Sequence, residues 1–133
     1  MKKLLLLPLL MITCFCFSQD AKEIIGKPIK IGNLFVAQND FPETMTYLKA
    51  PKACRALGKG WRLPTKKELN ILYKNKDKIG GFSENYYWSS TKFDSGSPWL
   101  QNFYNGQQLL VIGPEYTGNY EDLEIYVRAV RIF

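Results

Sequence analysis

The side chains able to do chemistry in this sequence are one internal cysteine, a scatter of carboxylates and a dense set of lysines; its 133 residues include no histidine. Without imidazole, Ser-His-Asp and Cys-His nucleophilic catalysis and His-ligated zinc are excluded. Cys54 could be a nucleophile only beside a base or in cationic surroundings, for which Arg55 alone is thin support. Its helical spacing with Ala50 and Leu57 fits a small buried hydrophobe instead. The carboxylates Asp94, Glu115, Glu121, Asp122 and Glu124 follow neither the paired-acid pattern of a glycosidase nor the ligand spacing of a calcium loop. The chemistry is therefore that of binding, and no enzyme activity, cofactor or metal is expected.

The formal charge is +6 and unevenly spread. Residues 49–78 hold ten cations (Lys49, Lys52, Arg55, Lys59, Arg62, Lys66, Lys67, Lys74, Lys76 and Lys78) against Glu68 and Asp77, while residues 19–48 and 79–133 are each net acidic. Lys49, Lys52, Lys59, Lys66, Lys67 and Lys74 could form a face for sulfated or phosphorylated glycans, with lysine acting as a hydrated point charge. The alternative is an ordinary solvated helix surface. A second candidate set, Lys92, Tyr116, Asn119 and Tyr120, lies in the polar stretches 92–98 and 113–122, where tyrosines offer amphipathic contacts. A nucleic-acid partner is not expected, since no recognition helix or stacking motif is present.

These residues need a scaffold. Lys2 and Lys3 precede an apolar run over residues 4–17, too short to span a bilayer. With Cys16 and Ser18 at the minus-three and minus-one places, residues 1–18 read as a secretory signal peptide, leaving a single domain over 19–133. Losing Lys2 and Lys3 lowers the formal charge from +6 to +4, and only Cys54 of the three cysteines remains. No internal disulfide can then form, and the core must supply the stability. The mature chain is expected to be secreted, in the periplasm, on the cell surface or in the medium, with no membrane span.

The elements follow from pattern. Residues 30–37 read as a first strand. Residues 46–57 read as a helix in which Pro51 either kinks the axis or marks the true first turn, with Gly58 and Gly60 as its stop. Thr65-Lys66-Lys67-Glu68 is a capping box for a second helix, stapled by Leu63 or Pro64 onto Leu69, so Glu68 is expected to be occupied as a cap. Residues 86–91, 99–104, 107–112 and 123–133 read as strands, with a turn at Asn105-Gly106. Strand, two helices, then several strands make an α+β domain.

The combination Gly60-Trp61-Arg62-Leu63-Pro64-Thr65, Glu68-Leu69, Tyr87-Trp88-Ser89-Ser90-Thr91, Trp99, Phe103, Gly106 and Val127-Arg128-Ala129-Val130-Arg131 resembles the DUF1566 family, also called the Lcl C-terminal domain after a collagen-like adhesin and related to Fibrobacter paralogous domains. The resemblance covers roughly residues 30–133. It implies a C-type-lectin-like fold in which two helices flank a twisted antiparallel sheet and the N- and C-terminal strands lie close together. It also implies secretion or surface display, with an extracellular or cell-surface polysaccharide, sulfated in the adhesin, or a surface protein as partner. Many relatives carry a cysteine where this chain has Ala129, so the disulfide they could form with the position of Cys54 is lost. Neither the acidic-Pro-Asn or Gln-Pro-Asp loop nor the Trp-Asn-Asp strand of calcium-dependent lectins is present. Within such a fold Trp61, Pro64 and Thr65 are expected to be structural, as are Arg128 and Arg131. Trp88 and Trp99 are expected in the core of the sheet, whereas an exposed tryptophan in a loop could instead stack on a sugar ring through its apolar face. Arg62 either pairs with a buried carboxylate or chain terminus or lines a ligand groove.

Overall fold

The computed structural model describes residues 20–94, 96–111 and 120–132. The leader at 1–18 and the loop residues Tyr116 and Asn119 fall outside these. Among the described residues four helices, α1 (residues 20–25), α2 (Lys49–Ala56), α3 (Lys66–Lys74) and α4 (Lys76–Ile79), and a 3-10 turn at Tyr120–Asp122 accompany two three-stranded antiparallel sheets. One sheet has the order β1 (Ile29–Ile31), β2 (Leu34–Val36), β6 (Val130–Ile132); the other runs β3 (Tyr86–Lys92), β4 (Pro98–Asn102), β5 (Gln108–Leu110). Where the resemblance implies one sheet and two helices, the described residues thus divide the strands between two sheets and add two short helices.

Residues 30–37, expected as one strand, are instead parts of a hairpin. Ile31 stands opposite Leu34 across a two-residue loop whose first member, Gly32, has φ +61. A two-residue loop with positive φ at its first position is the II′ kind, which matches strand twist and favours glycine. β2 is central in its sheet, pairing Leu34 with Ile132, Phe35 with Arg131 and Val36 with Val130. The second arm of the N-terminal hairpin and the C-terminal strand therefore lie side by side. Arg62 adds to this edge by exchanging both backbone hydrogen bonds with Val130, each 2.9 Å.

The strand expected over 123–133 is regular only at Val130–Ile132. Upstream, Ile125 bridges Met45 and Tyr126 bridges Tyr87, so the segment passes from one sheet to the other and cannot keep a single partner. The helix expected over 46–57 is shorter, Lys49–Ala56, with Pro51 in its first turn, where a backbone N–H would have no intrahelical acceptor.

Two buried clusters form the core. Ala50 and Cys54 of α2 meet Trp61, Leu63, Trp88, Leu100, Val127 and Ala129 in the first. Leu69 and Leu72 of α3 meet Leu34, Val36, Tyr87, Phe103 and Val130 in the second. The rings of Tyr87 and Phe103 lie 4.4 Å apart between centroids, a contact worth about 0.5–1.5 kcal/mol beyond area burial. Trp88 is fully buried and donates its indole N–H to the Met45 carbonyl at 2.8 Å.

A polar clasp ties distant segments together. Arg128, 1% exposed, donates from Nε to Asp40 Oδ1 at 2.6 Å, from Nη1 to the Ala37 carbonyl and from Nη2 to the Gly80 carbonyl at 3.1 Å, and lies 4.0 Å from the Phe82 ring centroid. The Tyr87 hydroxyl donates to Asp40 Oδ2 at 2.5 Å and accepts from the Ser83 N–H at 2.8 Å. Burial raises the Asp40 pKa, against the lowering pull of the Arg128 charge and of the two hydrogen bonds it receives.

Candidate functional site

The capping box of α3 closes fully. Thr65 Oγ1 accepts from the Glu68 N–H at 3.1 Å, and Glu68 Oε1 accepts from the Thr65 N–H at 2.9 Å. The same carboxylate receives a bidentate fork from Arg62, Nη1 to Oε1 at 2.6 Å and Nη2 to Oε2 at 2.9 Å. That fork, with the Thr65 bonds, outweighs desolvation and holds Glu68 below the usual carboxylate range; the pairing in turn raises the Arg62 pKa. Arg62 is thus neither a core arginine nor free for a ligand: its side chain is 37% exposed and committed to a carboxylate six residues away. The buried arginine is Arg128 instead.

The capping also decides what the start of α3 can bind. The Lys66 N–H goes to Thr91 Oγ1 at 2.9 Å, so the amides of Thr65, Lys66 and Glu68 are all satisfied by side chains. With those three amides occupied, an anion near this helix start is met by the side-chain ammonium groups and, of the first-turn backbone, by the Lys67 N–H.

Beside this helix start lies a groove of about 490 Å³ lined by Thr65, Lys66, Lys67, Asn70, Thr91 and Gln108. Amides brace its floor. Buried Gln101 donates to Asn70 Oδ1 and to the Gly106 carbonyl, both at 3.0 Å; Gln108 donates to the Lys66 carbonyl at 2.8 Å and to Gln101 Oε1 at 3.3 Å. With Asn70 Oδ1 used as an acceptor, its amide N–H groups have no acceptor among the described residues. The Lys66 ammonium rests 3.5 Å from the centroid of the Trp99 ring.

Trp99 is a correction to the expected sheet core. It is only partly buried, whereas its β4 neighbours Pro98, Leu100 and Gln101 are buried. Alternation along the strand sends Leu100 into the first cluster with Trp88 and turns Trp99 to the opposite face, toward Lys66 of α3.

The six candidate lysines do not share this groove. Only Lys66 and Lys67 line it; Lys49, Lys52, Lys59 and Lys74 are exposed elsewhere on α2, the Gly58–Gly60 turn and the end of α3. A reason is that α2 and α3 cover different core clusters, so their outer faces are not continuous. Local spacing does not single out Thr91, Asn70 and Gln108 as neighbours of Lys66. A helix start meeting a three-stranded sheet is tertiary information that local spacing does not carry.

A second cleft, of about 500 Å³, is lined by Thr46, Tyr47, Leu48, Pro51, Lys92, Tyr120, Glu121 and Asp122. It brings together Lys92 and Tyr120 from the second candidate set. Lys92 Nζ lies 5.7 Å from the Tyr47 ring centroid, and Leu48 is 74% exposed.

Cys54 lines neither place. Cys54 is fully buried and desolvation pushes its thiol up to about 12. Among the described residues no three His, Cys, Asp or Glu side chains stand close enough to hold a metal ion, and no helix is long and apolar enough to cross a membrane.

No protein-family model matches the chain, and no curated protein matches it. Among solved structures it is similar to EMS16, an antagonist of the collagen receptor integrin α2β1, at 11% identity and a TM-score of 0.52, covering 80% of this chain and 97% of that one. At that identity the likeness speaks for architecture alone, and it shows that this α+β chain has a C-type-lectin-like fold.

Proposed function

We propose that the chain is a secreted or surface-exposed, non-catalytic binding module of the DUF1566 kind, which takes an anionic extracellular polysaccharide in the groove between α3 and the β3–β4–β5 sheet. One observation carries this reading: two ammonium groups, Lys66 and Lys67, share a groove with the Asn70 and Gln108 amides and the Thr91 hydroxyl, and the Lys66 ammonium lies against the half-buried Trp99 ring. Charge for an acidic group, amides for hydroxyls and an aromatic face for sugar C–H groups are the three chemistries that polysaccharide recognition uses. Glycan arrays probed at low and high salt test it. Retention of sulfated or uronate glycans that fades as salt rises, and that is lost with Lys66→Ala/Lys67→Ala, is expected. No retention on any glycan at low salt overturns it.

A protein partner is the second reading, favoured by the second cleft, where an exposed Leu48 adjoins Tyr47, Pro51 and Tyr120. The similar fold in EMS16 belongs to a protein that antagonises an integrin. Pull-down from a cell-surface fraction, with and without the 113–122 loop, separates the two.

A further inference from the structure

We propose that Lys66 is a displaceable cover over Trp99, and that the groove selects a sugar ring bearing its negative charge on the ring itself, such as a uronic acid. This deepens the polysaccharide reading above and rests on it.

The Lys66 ammonium occupies the place, 3.5 Å from the Trp99 centroid, where the apolar face of a sugar would stack. Among the described residues that ammonium has no carboxylate partner, and the ring contact is its side-chain interaction. The backbone of Lys66, by contrast, is pinned at both ends of its peptide units. Its N–H goes to Thr91 Oγ1 at 2.9 Å, and its carbonyl accepts from Gln108 Nε2 at 2.8 Å. The residue therefore has a fixed root and a free four-carbon stem, which can swing without disturbing α3.

The competition for the ammonium sets the selectivity. A cation lying on a partly solvated ring is held more weakly than one in a charge-assisted hydrogen bond to a carboxylate or sulfate. An acidic sugar can thus draw Lys66 off the ring and cover the uncovered indole with its own C–H face. A neutral sugar offers the ammonium nothing in exchange and must strip it at a loss. A free inorganic anion would bare the ring with nothing to cover it, and so binds too weakly to draw the ammonium away. Lys67 and the Asn70 amide remain beside the groove for a second charge and for hydroxyls.

Trp61 and Trp88, the two other tryptophans, are 6% and 0% exposed, so a ligand-induced change in tryptophan emission reports on Trp99. The full chain, its Lys66→Ala variant and its Trp99→Phe variant are titrated with a glucuronate oligosaccharide, the neutral glucose oligosaccharide and sodium sulfate at matched ionic strength, following emission and calorimetric Kd. In the wild type only the glucuronate oligosaccharide should give a saturable change in emission. Lys66→Ala should weaken that ligand about tenfold, as loss of one charged hydrogen bond does, and strengthen the neutral one until the preference collapses. Trp99→Phe should abolish the emission change and weaken the acidic ligand. Glucuronate binding with unaltered emission, or a Lys66→Ala variant that still refuses the neutral ligand, overturns the cover while leaving the polysaccharide reading standing. Sulfate reproducing the full change overturns the need for a sugar ring. Binding of none of the three overturns both.

Discussion

Replacing Arg128 with Met tests the clasp that joins the ends of the fold. The substitution keeps the apolar stem against Phe82 but removes every donor that Asp40 Oδ1, the Ala37 carbonyl and the Gly80 carbonyl receive from the guanidinium. Breaking a buried ion pair by removing one partner costs about 3–5 kcal/mol, because the other charge stays behind. In a domain of this size each kcal/mol moves Tm by roughly 3–6 °C, so a fall of about 10–30 °C is expected. The pH dependence gives a sharper signature. The folded Asp40 pKa already lies above its ordinary 3.8, so the native state holds the proton more tightly than the unfolded chain, and stability falls as pH rises through the interval from 3.8 to the folded value. Arg128 is a cause that lowers this pKa; without it the folded value moves further up, widening the interval over which stability is lost. Thermal melts from pH 3.5 to 8 should therefore show Arg128→Met closest to wild type in acid and furthest from it at neutral pH. Asp40→Asn added to Arg128→Met should recover part of the loss at pH 7. A loss under 1 kcal/mol, or one independent of pH, would refute the account of the clasp as a buried charge pair.

Other outcomes follow from the same geometry. Thr65→Ala removes the acceptor for the Glu68 N–H and should cost about 1 kcal/mol in urea denaturation. Because the folded Glu68 pKa lies below its ordinary 4.5, the stability from its bonds is complete above 4.5 and is lost as pH falls through the folded value; Glu68→Gln should flatten that acid limb. Cys54, buried and raised to about 12, should resist iodoacetamide at pH 8 in the native protein and react fully in denaturant. Gly106→Ala would set a Cβ 2.5 Å from the Tyr73 ring at a backbone φ of +84, and should destabilise by about 2–3 kcal/mol in the same melts.

What was legible in the sequence was local. The Thr65–Glu68 box could be read because its four residues contain both donors and both acceptors, and the helix stop at Gly58 and Gly60 because only glycine suits such turns. The strand at 86–91 was legible because no other element competes for it. The hairpin over 29–36 was hidden by the shortness of its arms, three residues each, which merge into one β-rich run unless Gly32 is taken as the turn. The Trp99 face was hidden for another reason. A tryptophan inside a strand has two sides to choose from, and what settles the choice is Lys66 of α3 on one side and the Trp88–Leu100 cluster on the other. Arg62 illustrates the limit from the other direction. Its partner Glu68 was within sight, six residues on, but its role as a cap made it look already spent, though a carboxylate has two oxygens and serves both.

The junction of β2 with β6 and of Asp40 with Arg128 has a consequence for how the chain reaches this form. Arg128 and Asp40 stand 88 positions apart, and β2 lies between β1, its local partner, and β6, which is synthesised far later. While the chain emerges N-terminus first, the β2 edge of the β1–β2 hairpin is open, the carboxylate of Asp40 lacks Arg128 and the backbone of Arg62 lacks Val130. None of these can be completed before residues 128–132 are available. Growth of the chain therefore runs ahead of the completion of this sheet, which waits for its last strand, β6, to close on β2.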